Sequence, residues 1–176
     1  MASQEIIFAG FGGQGILSMG KFLAYAGMDA NMNVSWLPSY GPEMRGGTAN
    51  CSVIISDDLV GSPIVTDPKT LVVMNRPSLD KFEEHIVSGG LVIIDSNLID
   101  RELTRDDIEV IRIPAQEEAA KIGSSKIANM VLLGALVEKT KIVPMEVLIE
   151  ALRAHGKEKF FEVNKAALAK GAEYVK

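Results

Sequence analysis

The sequence predicts a three-layer α/β/α sandwich on one largely parallel, mixed sheet, and three observations predict it. Short apolar runs of strand length alternate with segments whose apolar residues recur at helical spacing, the order of a wound α/β sheet. A Gly-rich turn, Gly10-Phe11-Gly12-Gly13-Gln14-Gly15, joins the first run to the first periodic segment and opens a Rossmann-like βαβ unit. The second and third apolar runs lie too close for a helical crossover, so the third strand is expected to run antiparallel and make the sheet mixed.

Taken in order, Glu5-Ile6-Ile7-Phe8-Ala9 is the first strand, and residues 16–26 after the Gly turn are a helix. Asn33-Val34-Ser35-Trp36-Leu37 is a second strand leading into a polar loop. Residues 48–56 alternate small or polar with apolar side chains and end at Asp57-Asp58, a third strand and its turn. Leu71-Val72-Val73-Met74 and Leu91-Val92-Ile93-Ile94-Asp95 are continuous apolar runs, as expected of strands covered on both faces. Between them 78–87 reads as a helix capped by Ser78 and stopped by Gly89-Gly90. Residues 109–114 form a further strand, and 116–122, 127–140 and 144–155 are helices. The middle one is apolar on much of its circumference and so packed on the sheet. Residues 157–176 continue as a polar, helical tail.

Composition bounds the function. The chain has 176 residues and is read as a single domain, 1–176, large enough for its own core. It is 47% hydrophobic with a mean hydropathy of +0.17, which leaves apolar surface to face a partner. A net charge of −5 without any block of Lys or Arg gives no footprint for nucleic acid. Cys51 stands alone, which excludes an internal disulfide and falls short of the thiolates an iron–sulfur cluster needs. His85 and His155 lack metal-ligand spacing and read as solvated helix residues, so no metal site is expected. No run approaches the roughly 18 apolar residues of a membrane span, and residues 1–8 are too short and acidic for a signal peptide. A cytoplasmic chain is expected.

Two segments carry chemistry. The Gly12, Gly13, Gln14 and Gly15 turn follows a strand and opens a helix, where backbone N–H groups and the helix dipole favour phosphate. A dinucleotide site would also need an acid at the end of the second strand, and Pro38-Ser39 stands there. The other reading of this turn is a close-packed βα junction. Gln14 adds a donor and an acceptor for a ligand or partner. The second segment is Ser39-Tyr40-Gly41-Pro42-Glu43-Met44-Arg45-Gly46-Gly47, whose glycines permit close approach. Arg45 offers a fork for carboxylate or phosphate and Glu43 orients it, the alternative being a surface ion pair. Asn75, in Asn75-Arg76-Pro77, is a secondary candidate or a strand-to-helix cap. Asn129, after Ser124-Ser125-Lys126, either faces the site or is buried and satisfied. No Ser/His/Asp set or carboxylate pair with catalytic spacing appears, so no catalytic residue is expected on this chain.

Together the Gly10 to Gly15 turn, Ser39 to Ala49, Asn75-Arg76-Pro77 and Asn129-Met130-Val131-Leu132-Leu133-Gly134-Ala135 resemble the gamma subunit of the thiamine-diphosphate-dependent 2-oxoacid:ferredoxin oxidoreductases over nearly the whole chain. The Gly turn alone is a weak signal, whereas the second segment at this distance from it is specific. Where the family shows Gly-Asn before the late helix, this chain has Gly123-Ser124. The resemblance implies an assembly that converts a 2-oxoacid and coenzyme A to acyl-CoA and carbon dioxide and reduces ferredoxin. It places thiamine diphosphate and Mg on alpha and beta subunits, and iron–sulfur clusters on beta or a ferredoxin-like delta subunit. It implies that Gly12 to Gly15 and Tyr40, Gly41, Glu43, Arg45, Gly46 and Gly47 face the alpha subunit and help shape the coenzyme A channel. The chain looks closest to the 2-oxoglutarate type, with 2-oxoisovalerate, pyruvate and indolepyruvate types as alternatives. The isolated chain could self-associate as a homodimer. A stand-alone nucleotide-binding protein is the competing class.

Overall fold

The computed structural model describes residues 2–39 and 47–176. The strands are β1 (Ser3–Phe11), β2 (Asn33–Ser39), β3 (Thr48–Ser56), β4 (Thr70–Val73), β5 (Leu91–Asp95) and β6 (Glu109–Ile113). The helices are α1 (Ile16–Asp29), α2 (Arg76–Phe82), α3 (Ala115–Ile122), α4 (Ala128–Thr140), α5 (Met145–His155) and α6 (Phe161–Glu173). The sheet runs β2-β3-β1-β4-β5-β6. β1, β4, β5 and β6 are mutually parallel, and β3 is antiparallel to both its neighbours, which makes the sheet mixed as the short connection predicts. β2 therefore points the same way as β1, but β3 lies between them. The βαβ unit is thus split, because the antiparallel return strand fills the position that β2 takes in a Rossmann unit.

Strand alternation sorts the core into two faces. Phe8, Cys51, Val53, Ile55, Val72, Met74 and Ile93 join one cluster with α1, α3, α4, α5 and α6. Ile7, Ala9, Ile54, Leu71, Val73, Val92 and Ile94 form the other, covered by Leu79 of α2 and by Val60, Val65, Ile99, Leu103 and Ile108 from irregular segments. The three layers are therefore unequal, one thick and helical, one thin. β4 and β5 are buried along their whole length, as their unbroken apolar runs require.

α1 lies flat on β2 and β3 because Gly20 and Gly27 leave room for Cys51, Trp36 and Val34. α5 is joined to α1 by His155 stacked on Tyr25, ring centroids 3.7 Å apart. α4 is buried from Ala128 through Val137, since it touches the sheet on one side and α6 on the other.

Three local expectations are corrected. The cap of α2 is Asn75, whose Oδ1 accepts from Ser78 N at 3.0 Å, because Pro77 already occupies the first turn. That helix ends at Phe82, continued only by a 3-10 turn Glu83–His85, so Gly89-Gly90 does not stop it but sits at the entry to β5, Gly89 with φ +80. α6 is no solvated tail: Phe161, Ala167, Leu168 and Ala172 are buried. Among the described residues no helix is long and apolar enough to cross a membrane.

Candidate functional site

Parallel strands release their connections at one edge of a sheet, and ligands of such folds bind there. The shared direction of β1, β2, β4, β5 and β6 brings the Gly10 to Gly15 turn, Ser39, Asn75 and the Asp95-Ser96-Asn97 turn to that edge, with Gly47 where β3 begins. The two Gly-rich segments meet directly, Gly12 N donating to Gly47 O at 3.2 Å. Tyr40, Gly41, Glu43, Arg45 and Gly46 lie outside the described residues.

The turn needs its glycines for different reasons. Gly13 and Gly15 take φ +91 and +77, conformations that L side chains resist. Gly10 has ordinary φ, but a Cβ there would strike Gln14 Oε1 and Ile16. α1 then starts at Gly15 without a side-chain cap and without an acid in its first turn. Helix geometry leaves the first N–H groups of α1 without intrahelical partners, and they carry the positive end of its dipole. These residues, Ile16, Leu17 and Ser18, line a hollow of about 330 Å³ with Gly12, Gly13 and Ala49. A larger hollow of about 460 Å³ lies at the opposite edge of the sheet, but its lysines are engaged, Lys69 Nζ with Ser3 O and Lys139 Nζ with Glu109 Oε1 at 2.7 Å.

Two amides hold the turn, its own Gln14 and Asn129 of α4. Gln14 Oε1 accepts from Phe11 N at 2.6 Å while its Nε2 donates to Met74 O at 3.2 Å. Asn129, buried on α4, donates from Nδ2 to Gly15 O at 3.2 Å. Asn75 is buried too, its Oδ1 spent on the α2 cap and its Nδ2 without a protein partner. Ser124 caps the 3-10 turn before α4 by accepting from Lys126 N at 3.2 Å.

One buried acid at this edge escaped reading by motif. Asp95 is fully buried, accepting from Asn97 N at 3.1 Å and Gln116 Nε2 at 3.2 Å. Burial raises its pKa, against the lowering effect of those donors. The signal for it was an acid ending an apolar strand, which a turn residue also gives. Cys51 is fully buried, and burial pushes its thiol up to about 12, so it does not fit an iron–sulfur ligand. Among the described residues no group of three His, Cys, Asp or Glu could hold a metal ion. The site can offer N–H donors and a positive dipole to an anion.

Comparison with known proteins agrees along the chain. The family model described as pyruvate ferredoxin/flavodoxin oxidoreductase matches residues 5–174. The ketoisovalerate oxidoreductase subunit VorA of Methanothermobacter thermautotrophicus is 41% identical over 98% of this chain, which spans 36% of VorA, about a third of its length. The 2-oxoglutarate synthase subunit KorC of Methanocaldococcus jannaschii is 35% identical over 98% of this chain and 94% of its own. Among solved structures, the gamma subunit of a keto/oxoacid ferredoxin oxidoreductase from Geobacter sulfurreducens superposes with a TM-score of 0.86 at 30% identity, covering 98% of both chains. A 2-oxoglutarate:ferredoxin oxidoreductase from Magnetococcus marinus, with 2-oxoglutarate, coenzyme A and succinyl-CoA bound, gives 0.88 at 26% identity over 99% of this chain and 31% of that one. With an end-to-end family match and full-length gamma-type relatives on the same fold, this chain belongs to the pyruvate ferredoxin/flavodoxin oxidoreductase family.

Proposed function

We propose that this chain is the gamma subunit of a 2-oxoacid:ferredoxin oxidoreductase, working with alpha and beta chains and a ferredoxin-like delta chain, and inactive alone. The assembly converts a 2-oxoacid and coenzyme A to acyl-CoA, carbon dioxide and a proton, and a pair of electrons passes to ferredoxin. The observation that carries this is the match to KorC across 94% of its length. Thiamine diphosphate, on the alpha and beta chains, supplies the decarboxylation chemistry. This chain's part is to bind and orient.

The α1 N-terminus and the Gly12, Gly13 and Gly15 backbone favour a phosphate of coenzyme A, and Arg45 adds a fork of charge. Exposed Phe11 and Leu37, beside that edge, suit burial against another chain. The substrate is a 2-oxoacid of the 2-oxoglutarate or 2-oxoisovalerate type. The match in length to KorC, 94% of which is covered against 36% of VorA, favours the first, and the 41% identity to VorA against 35% to KorC favours the second.

The split βαβ unit argues against a stand-alone dinucleotide site. With β3 interposed, the tip of β2 lies two strand spacings, about 10 Å, from β1, beyond the reach of an acid to a ribose held at the Gly turn. Co-purification from the native source tests the assembly: thiamine-dependent and ferredoxin-like chains should accompany this one. In the reconstituted enzyme Arg45→Ala should raise the KM for coenzyme A. Unchanged coenzyme A dependence together with unchanged assembly would sink the site reading, and tight NAD binding to the isolated chain by calorimetry would sink the subunit reading.

A further inference from the structure

Four residues of the turn, Gly10, Gly12, Gly13 and Gly15, are glycines, and a Cβ built on Gly13 would meet nothing within 4 Å. Such a segment loses much backbone entropy on becoming fixed and has few side chains of its own to fix it. Two amide side chains do this, the turn's own Gln14 and Asn129 from α4. Gln14 spans from the end of β1 to the end of β4, accepting from Phe11 N and donating to Met74 O. Asn129 reaches from α4 to Gly15 O, the same carbonyl that accepts the first helical bond of α1 from Met19 N at 3.1 Å. The Asn129 contact therefore holds the point from which α1 sets out.

The glycines divide accordingly. Gly10 and Gly15 make room for the two amides, since a Cβ at either would collide with Gln14 Oε1 or with Asn129 Nδ2. Gly12 and Gly13 are exposed and stay open to approach from outside. Asn129 is buried and Gln14 half-buried, and both spend a donor on a main-chain carbonyl. We propose that Gln14 and Asn129 are positioning residues, a brace that fixes the Gly turn so that the N–H groups at the start of α1 meet a phosphate of coenzyme A already aligned, without touching it themselves. The inference rests on the coenzyme A reading above. Its physical advantage is preorganisation: a turn held in place before binding spends little affinity on being ordered.

Gln14→Met and Asn129→Leu keep volume and remove the polar atoms. Hydrogen–deuterium exchange on the full chain should show amides 11–19 exchanging at least about tenfold faster in both variants, the effect of the two hydrogen bonds lost with Gln14 and the one lost with Asn129. In the reconstituted oxidoreductase the KM for coenzyme A should rise about tenfold, by more than kcat falls, with the KM for the 2-oxoacid unmoved. Should Gln14→Met fail to fold, Gln14→Asn, too short to span both partners, is expected to give the same exchange signature. Unchanged exchange with a raised KM would mean the amides touch the ligand, and unchanged exchange with an unchanged KM would mean they do neither; both overturn the brace. Faster exchange with an unmoved KM would leave the brace standing and overturn the coenzyme A reading.

Discussion

Glu83 sits buried at the foot of α2, and each of its carboxylate oxygens has a partner. Oε2 accepts from Arg101 Nη2 at 2.7 Å, and Oε1 from Thr104 N at 2.6 Å and Thr104 Oγ1 at 3.1 Å. Burial alone would raise its pKa, but the bonds from Arg101 and Thr104 outweigh it and hold the carboxyl below its ordinary value. A depressed folded-state pKa adds stability that is complete above the unfolded value and drains away as pH falls through the folded one. Urea unfolding between about pH 7 and pH 3 should therefore show stability falling with acid. Glu83→Gln should lower the neutral-pH stability by on the order of 1–3 kcal/mol and flatten that slope. Asp95 works in the opposite sense, since burial raises its pKa and its contribution weakens as pH rises through that raised value. An unaltered slope in Glu83→Gln would remove Glu83 from the account.

Between elements, the α4 and α6 crossing is set by two glycines. A Cβ at Gly134 would meet the backbone of Leu168, and one at Gly171 the carbonyl of Val131. Replacing an exposed helical Gly by Ala usually adds about 1 kcal/mol through propensity. Here contact with rigid backbone reverses the sign, and Gly134→Ala should cost about 1–3 kcal/mol by denaturant unfolding. A stabilised Gly134→Ala would show that the helices do not cross so closely. The same contact explains why residues 157–176 misread as a tail. Their polar count is high, but Leu168, Ala167, Ala172 and Phe161 lie on the face turned to the protein. The contacts that reveal this, Leu168 with Gly134 and Gly171 with Val131, join residues more than 30 positions apart in sequence.

For the whole molecule, five of the six helices of the described residues lie on one face of the sheet, so its stability depends on that thick layer. α6 closes it. Burial of Leu168 and Phe161 alone is worth on the order of 3–6 kcal/mol, against about 5–15 kcal/mol for a typical domain. A chain ending at Gly156 should consequently lose its cooperative thermal transition and its near-UV dichroism. Retention of both would mean that α6 is dispensable.

Local pattern was sufficient for each strand, for the Gly turn at the head of α1, and for the antiparallel sense of β3, because strand length, helical period and connection length are properties of neighbouring residues. The resemblance carried by residues 39–49 likewise resided in the sequence, as did the lone cysteine that rules out an internal disulfide, since both are matters of composition and local order. Tertiary structure alone decided the insertion of β3 between β1 and β2, the choice of Asn75 over Ser78 as the cap of α2, the docking of α6 and the reach of Gln14 to Met74. Each of these depends on a partner supplied by another part of the chain, or on which of two nearby polar groups reaches a backbone N–H. Gln14 is the clearest case. In sequence it is an amide in a Gly-rich turn, and only the fold brings Met74 O, 60 residues on, within reach of its Nε2.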